Sequence, residues 1–291
     1  MLKARFHVCH ILPAGRVYFG LQAYREIAET LVWGLQALGH EATYGQNSTS
    51  AGAVNLILGA QMLTLEQLDT LPPETVIYNL EQMARVPVEK MRPVMRGFAQ
   101  RFRIWDYCEA NLERWEALGC AVRPLCVKLG WAPLLERIAK PAHQDIEVLL
   151  YGVPGDERLQ IFRSLCLAGI RSVFSCGLYG EERDGLIARS KLVVNASLYT
   201  ASRIFEIARV SYLLSNAKAV VSELHADTII EPDIRAAVVA STPQSIVGDC
   251  LRLIEDDGGR ATLEEQGRAI FRARNIREIL REPLARGLTD T

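Results

Sequence analysis

Ser190 to Glu223, SKLVVNASLYTASRIFEIARVSYLLSNAKAVVSE, limits the folds open to this chain more than any other stretch. It reads as a short strand over Leu192–Ala196, a turn, a long helix, and a second strand over Ala219–Ser222. Both strands are continuous apolar runs with no alternation, the pattern of strands covered on both faces of a parallel sheet. Neighbouring parallel strands need a crossover connection, normally a helix, and here the helix lies between them. A helix through this segment places Arg203, Glu206 and Arg209 at i, i+3 and i+6, within about 120° of one face.

The same alternation of strand and helix runs along the whole chain. An apolar strand over Phe6–Leu12 ends at Pro13-Ala14-Gly15-Arg16, and a helix follows from about Phe19 to Leu38. Strands are expected near Ala42–Tyr44, Val54–Leu58, Thr75–Leu80, Ile104–Tyr107 and Val122–Val127. Thr64 with Gln67 three residues on has the spacing of a capping box, which opens a small helix. Ala132–Gln144 carries two prolines, mixed charge and weak periodicity, as a linker does. Beyond it come strands at Ile146–Tyr151, Ser172–Cys176 and Ala236–Ala240, with helices at about Glu157–Ala168, Glu181–Ser190 and up to Glu255. An amphipathic segment, Leu263–Leu284, closes the chain. The expected fold class is α/β, with two Rossmann-like, doubly wound parallel-sheet domains facing a cleft. They would span residues 1–135 and 144–275, with a helical tail at 276–291. A chain of 291 residues can bury two such cores.

Composition excludes several classes. The formal net charge is −1, so no overall field favours nucleic acid. Seven cysteines without CxxC spacing suit free thiols in a reducing cytoplasm. No apolar run is long enough to span a membrane. The five histidines have no metal-binding spacing. Arg92, Arg96, Arg101 and Arg103, interleaved with Met91, Met95, Phe98, Phe102 and Trp105, read either as a peripheral contact for an anionic or lipid-linked acceptor or as a solvated helix face.

The residues Arg203-Ile204-Phe205-Glu206 and Ala217-Lys218-Ala219-Val220-Val221-Ser222-Glu223 carry a family resemblance, together with EPDIRAAVVASTPQSIVGDCLRLIEDDGGRATLEEQGRAIF after them. Over about residues 145–275 the chain resembles the nucleotide-sugar-binding domain of GT-B glycosyltransferases of the group 1 type. The resemblance implies a metal-independent glycosyltransferase that moves a sugar from a nucleotide-sugar donor to an acceptor the sequence does not identify. It also leaves open a sugar-nucleotide epimerase, or a non-catalytic binding module or partner subunit. The chain departs from the family's pattern in having Ala217-Lys218-Ala219 where Gly-Thr-Pro is usual. Two alignments follow: one puts the ribose-binding position on Glu206, the other near Tyr212. The donor side would comprise Gly152, Tyr179, Gly180, Asn195, Arg203, Glu206 and Arg209, with Lys128 in the segment Lys128-Leu129-Gly130-Trp131. Arginines offer phosphate forked hydrogen bonds, and helix N-termini offer free N–H groups.

In the first half, Tyr78-Asn79-Leu80-Glu81-Gln82 sets a carboxylate and two amides at the carboxyl end of a buried strand. Glu81 is the candidate catalytic carboxylate, a general base or a stabiliser of developing positive charge. Asn79, Gln82, Asp106 and Gly15 fall on the acceptor side. His10 ends the first strand, where it is either a catalytic group or a satisfied core histidine.

Overall fold

The computed structural model describes residues 3–12, 21–198 and 203–287, and the chain divides into two compact units. The first unit comprises residues 1–132 together with 274–291, and the second residues 133–273. Along the first unit run β1 (Arg5–His10), α1 (Arg25–Ala37), β2 (Glu41–Gln46), β3 (Val54–Leu58), α2 (Leu65–Leu68), β4 (Thr75–Asn79), α3 (Pro93–Arg101), β5 (Arg103–Asp106), α4 (Glu109–Ala117) and β6 (Leu125–Cys126). The second holds β7 (Ile146–Tyr151), α5 (Asp156–Leu167), β8 (Ser172–Ser175), α6 (Glu181–Arg189), β9 (Ser190–Asn195), α7 (Ile207–Ser215), β10 (Ala219–Glu223), α8 (Pro232–Ala236), β11 (Val239–Ser241), α9 (Ile246–Glu255) and α10 (Asp257–Arg272).

Every strand pair in both sheets is parallel. The strand orders are β2-β1-β3-β4-β5-β6 and β8-β7-β9-β10-β11, so each unit begins with the same 2-1-3-4-5 order. In such a sheet the order reverses once, between β1 and β3 in the first unit and between β7 and β9 in the second. Helices leave that point on opposite faces and open a crevice at the strands' carboxyl ends. The apolar runs fill the cores as expected: Ile57, Ile77, Phe98, Ile104 and Trp115 in one unit, Val148, Leu150, Leu165, Leu192 and Val221 in the other.

The last helix, α11 (Ile276–Gly287), belongs to the first unit. A side chain on Gly34 of α1 would meet Leu280 Cδ1 at 2.9 Å and Ile276 Cγ2 at 3.0 Å, so a bare backbone lets the two helices close. The amphipathic segment over Leu263–Leu284 is thus two helices, α10 and α11, serving different units.

The capping box predicted at Thr64 is present: Gln67 N–H donates to Thr64 Oγ1, and Thr64 N–H to Gln67 Oε1. The long helix predicted between β9 and β10 is not. Among the described residues of that connection, only Ile207–Ser215 is helical. Arg203 has φ +50°, a left-handed backbone, and Ile204 forms a parallel bridge with Ile229. Pairing with this distant segment outcompetes the local helix, because it buries Ile204 and Phe205 together. The i, i+3, i+6 arrangement therefore does not exist. The arginine series around α3 also resolves: Met95, Phe98, Phe102 and Trp105 are core residues, and Arg101 pairs with Asp69. Those four side chains face the interior, while Arg92, Arg96 and Arg101 are exposed.

Candidate functional site

In the second unit the switch point between β7 and β9 is lined by charged side chains. Gly152 follows β7 with φ +124°, where a Cβ would lie 2.8 Å from Arg209 Nη2 and 3.2 Å from Arg158 Nη1. Glycine is required here on both counts, backbone and space. Arg158 is buried on α5, on the same stripe as Ile161 and Leu165. Its Nε donates to Ala196 O at 2.8 Å, Nη1 to Val153 O at 2.8 Å, and Nη2 to Glu206 Oε1 at 2.5 Å. It thereby ties the exits of β7 and β9 together.

Glu206 holds the N-cap position of α7 without capping it. Its carboxylate accepts instead from Arg158, from Leu198 N–H at 3.0 Å, and from Arg209 Nη2 at 2.7 Å. Arg209, half a turn into α7, also donates to Asn195 Oδ1 at 3.1 Å and lies 5.5 Å from the centre of the Tyr151 ring. The result is two guanidinium groups around one carboxylate, net +1, beside the N-terminus of a twelve-residue helix. Backbone N–H groups at such a terminus carry partial positive charge as well.

A second cluster lies where β10 ends. Glu223 is buried, and its Oε2 accepts from Ser197 N–H at 3.4 Å. Burial first, and then the charge of Glu157, raise its pKa above the ordinary carboxylate value. His225 Nε2 stands 3.5 Å from Glu223 Oε1, and Arg203 Nε stands 3.4 Å from Asp227.

The predicted donor residues distribute unevenly over this frame. Gly152, Asn195, Glu206 and Arg209 come together. Arg203 joins the β10 cluster instead. Tyr179 and Gly180 stand at the exit of β8, where Gly180 precedes α6 with φ +59° and ψ −138°, a conformation reserved for glycine. Tyr212 donates to Asp184 Oδ2 at 2.7 Å beneath the Arg183 guanidinium, a packed arrangement on α6. Lys128 belongs to the first unit. Arg158, Glu157, Glu223 and His225 were not expected. Two signals for them exist in the sequence: Arg158 is a charge on the apolar stripe of α5, and Glu223 is a carboxylate ending a continuous apolar strand, as Asn79 ends β4 with a polar amide.

In the first unit the parallel register sets Asn79 beside Asp106 at the ends of β4 and β5. Asp106 is fully buried and accepts four hydrogen bonds. Asn79 Nδ2 and Trp115 Nε1 donate to Oδ2 at 2.7 and 2.8 Å, and Asn111 Nδ2 and Cys108 N–H donate to Oδ1 at 2.9 Å each. Burial still pushes its pKa up to about 7. The two amides it fixes hold the next turn: both donate to Glu81 O, Asn79 Oδ1 takes Glu81 N–H, and Asn111 Oδ1 takes Met83 N–H. The Glu81 carboxylate accepts from Tyr24 Oη at 2.8 Å and Gln61 Nε2 at 2.6 Å. Burial and that neighbouring charge keep the Tyr24 hydroxyl protonated, well above its usual range. Gln82 sits half-buried in the same turn. Asp106 thus lies behind Glu81 as its support. His10 is fully buried, with Nδ1 3.3 Å from Tyr44 Oη, in the position of a core histidine. Gly15 lies outside the described residues.

No protein-family model matches the sequence, and no curated protein matches it. Solved structures match nearly the whole chain. AviGT4, a glycosyltransferase involved in avilamycin A biosynthesis, is 14% identical over 98% of this chain and 97% of its own, with a TM-score of 0.57. Anabaena Alr3699/HepE, solved with UDP and glucose, is 13% identical over 97% of this chain and 100% of its own, at 0.59. WaaG, a glycosyltransferase involved in lipopolysaccharide biosynthesis, is 11% identical over 98% and 100%, at 0.55. At these identities the likeness is one of fold, and the fold is that of the GT-B glycosyltransferases.

Proposed function

We propose that the protein is a glycosyltransferase that takes a nucleoside-diphosphate sugar in its second unit. The observation that carries the reading is Arg209, held by Glu206 and Asn195 against the bare backbone of Gly152 at the switch point. A diphosphate at that point would meet one guanidinium, the free N–H groups of α5, and no side chain on Gly152. The solved relative Alr3699/HepE was captured with UDP and with UDP-glucose, which supports a nucleotide-sugar donor for the same fold. Charge on the diphosphate is answered here by arginine, so no divalent ion need bridge it.

Glu206 in this reading is a positioning residue, because its acceptor sites already serve two arginines and a backbone N–H. Glu81 is the acceptor-side carboxylate, oriented by Tyr24 and Gln61. With a donor bound it would accept a proton from the acceptor hydroxyl in an inverting reaction, or stabilise positive charge at the anomeric carbon in a retaining one. The seven free thiols suit a cytoplasmic enzyme. Among the described residues no helix is long and apolar enough to cross a membrane.

The test is a panel of UDP-, GDP-, dTDP- and CMP-sugars followed by ligand-observed NMR, then by product analysis with acceptor pools. Binding of one donor, weakened at least tenfold by Arg209→Ala, and transfer abolished by Glu81→Gln with binding retained, are the expected results. Conversion of the donor without acceptor would identify an epimerase. Binding without turnover would identify a binding module, and no binding at all would overturn the reading.

A further inference from the structure

We propose that Glu157, Glu223 and His225 form a divalent-cation site in the second unit, separate from the guanidinium groups at Gly152. One ligand atom from each of the three residues lies within 4.8 Å of the other two, a spacing that three donors around one ion require. The residues come from three places in the chain: the first turn of α5, the last residue of β10, and the turn after it. Two of the three residues carry a polar atom, Glu157 Oε2 and His225 Nε2, that is sealed from solvent and makes no hydrogen bond among the described residues. The third group, Glu223, has a side chain only 1% exposed and one long hydrogen bond to its carboxylate. Polar atoms sealed from water without a hydrogen bond are costly, and an ion held by the three side chains would satisfy Glu157 Oε2 and His225 Nε2 together and neutralise the buried Glu223.

The charge fits. Two carboxylates and a neutral imidazole give −2, which a divalent ion cancels. The adjacent Arg203 is balanced by its own partner, Asp227, and adds no net charge. A donor set of one imidazole and two carboxylates suits zinc or manganese better than calcium, which prefers oxygen alone.

The site has a structural consequence for its neighbour. Ser197 N–H binds Glu223, and Leu198 N–H binds Glu206, so the run leaving β9 is tethered on one side to this cluster and on the other to the arginine pair. An ion on Glu223 would fix that run, and with it Glu206. The inference does not depend on a nucleotide binding to the protein.

The full-length protein, stripped with EDTA and passed through chelating resin, is titrated with ZnCl2 and, separately, MnCl2 by calorimetry and thermal denaturation. One equivalent of ion is expected to bind and raise the melting temperature. Glu223→Gln and His225→Ala should each weaken binding at least tenfold, and Glu157→Gln, at a helix start, gives a third variant if either fails to fold. Asp257→Asn, an exposed carboxylate elsewhere, should bind as the unaltered protein does. Anomalous diffraction at the zinc edge should place the ion between the three side chains. Absence of saturable binding, or equal binding by all variants, would overturn the proposal.

Discussion

The carboxylate of Glu206 sits 2.5 Å from the guanidinium of Arg158, across 48 residues of chain. The pair is nearly solvent-free, with side chains 14% and 3% exposed, and Arg209 shares the same carboxylate. Neither partner can be removed singly without stranding a buried charge. Glu206→Ala leaves two guanidinium groups facing each other, and is expected to destabilise the second unit by about 3–5 kcal/mol. Urea denaturation followed by circular dichroism measures this. Replacing both residues, as Arg158→Met with Glu206→Leu, should cost less than the sum of the single changes.

Gly152→Ala combines a backbone and a steric penalty. The residue holds φ +124°, and the new methyl would sit 2.8 Å from Arg209 Nη2. A cost of about 1–3 kcal/mol is expected. Because the displaced group is Arg209, affinity for a nucleoside diphosphate should fall as well. Calorimetry with UDP on the folded variant checks the second effect, and a lowered melting temperature the first.

Asp106 gives the first unit a pH dependence of defined sign. Its pKa rises from 3.8 to about 7 on folding, so between these values the folded state binds more protons than the unfolded. Stability from this group is therefore fully present below pH 3.8 and is lost as pH rises through about 7. Asp106→Ala should flatten that slope, while leaving four buried donors unpaired at a cost of about 3 kcal/mol. Urea midpoints from pH 4 to pH 8 for both proteins test it. Loss of the Asn79 and Asn111 anchors should also free the Glu81 turn, visible as faster amide exchange at Glu81 and Met83.

Gly34→Val tests the return of the chain's end to the first unit. In an exposed helix the change would be nearly neutral or mildly favourable, since glycine is itself a poor helix former. Here the side chain would run into Ile276 and Leu280. A loss of about 1–3 kcal/mol is expected, measured as a fall in melting temperature. Removing residues 274–291 should uncover the same face of α1 and increase binding of a hydrophobic dye.

Much of the fold was legible in the sequence because burial on both faces leaves an unambiguous mark. Continuous apolar strands such as Leu192–Ala196 and Ala219–Ser222 can belong only to a covered sheet, and their alternation with helices implies parallel pairing. The polar strand ends Asn79, Asp106 and Asn195 were visible for the same reason, as hydrophilic residues closing apolar runs. Local chemistry also sufficed for the Thr64 capping box, whose two hydrogen bonds span three residues.

Tertiary structure alone decided which residues meet. The segment at Arg203–Glu206 has helical periodicity, yet Ile204 pairs with Ile229, and a long-range bridge that buries two side chains outweighs the small free energy of one further helical turn. Arg158, Glu157 and His225 carry no local sign of their partners, because those partners lie on other strands. The same holds for α11, whose amphipathic pattern declares a buried face without naming the surface that buries it. Sequence periodicity records how one segment meets water and core; charge pairing and helix docking depend on distances between segments, which only the folded chain sets.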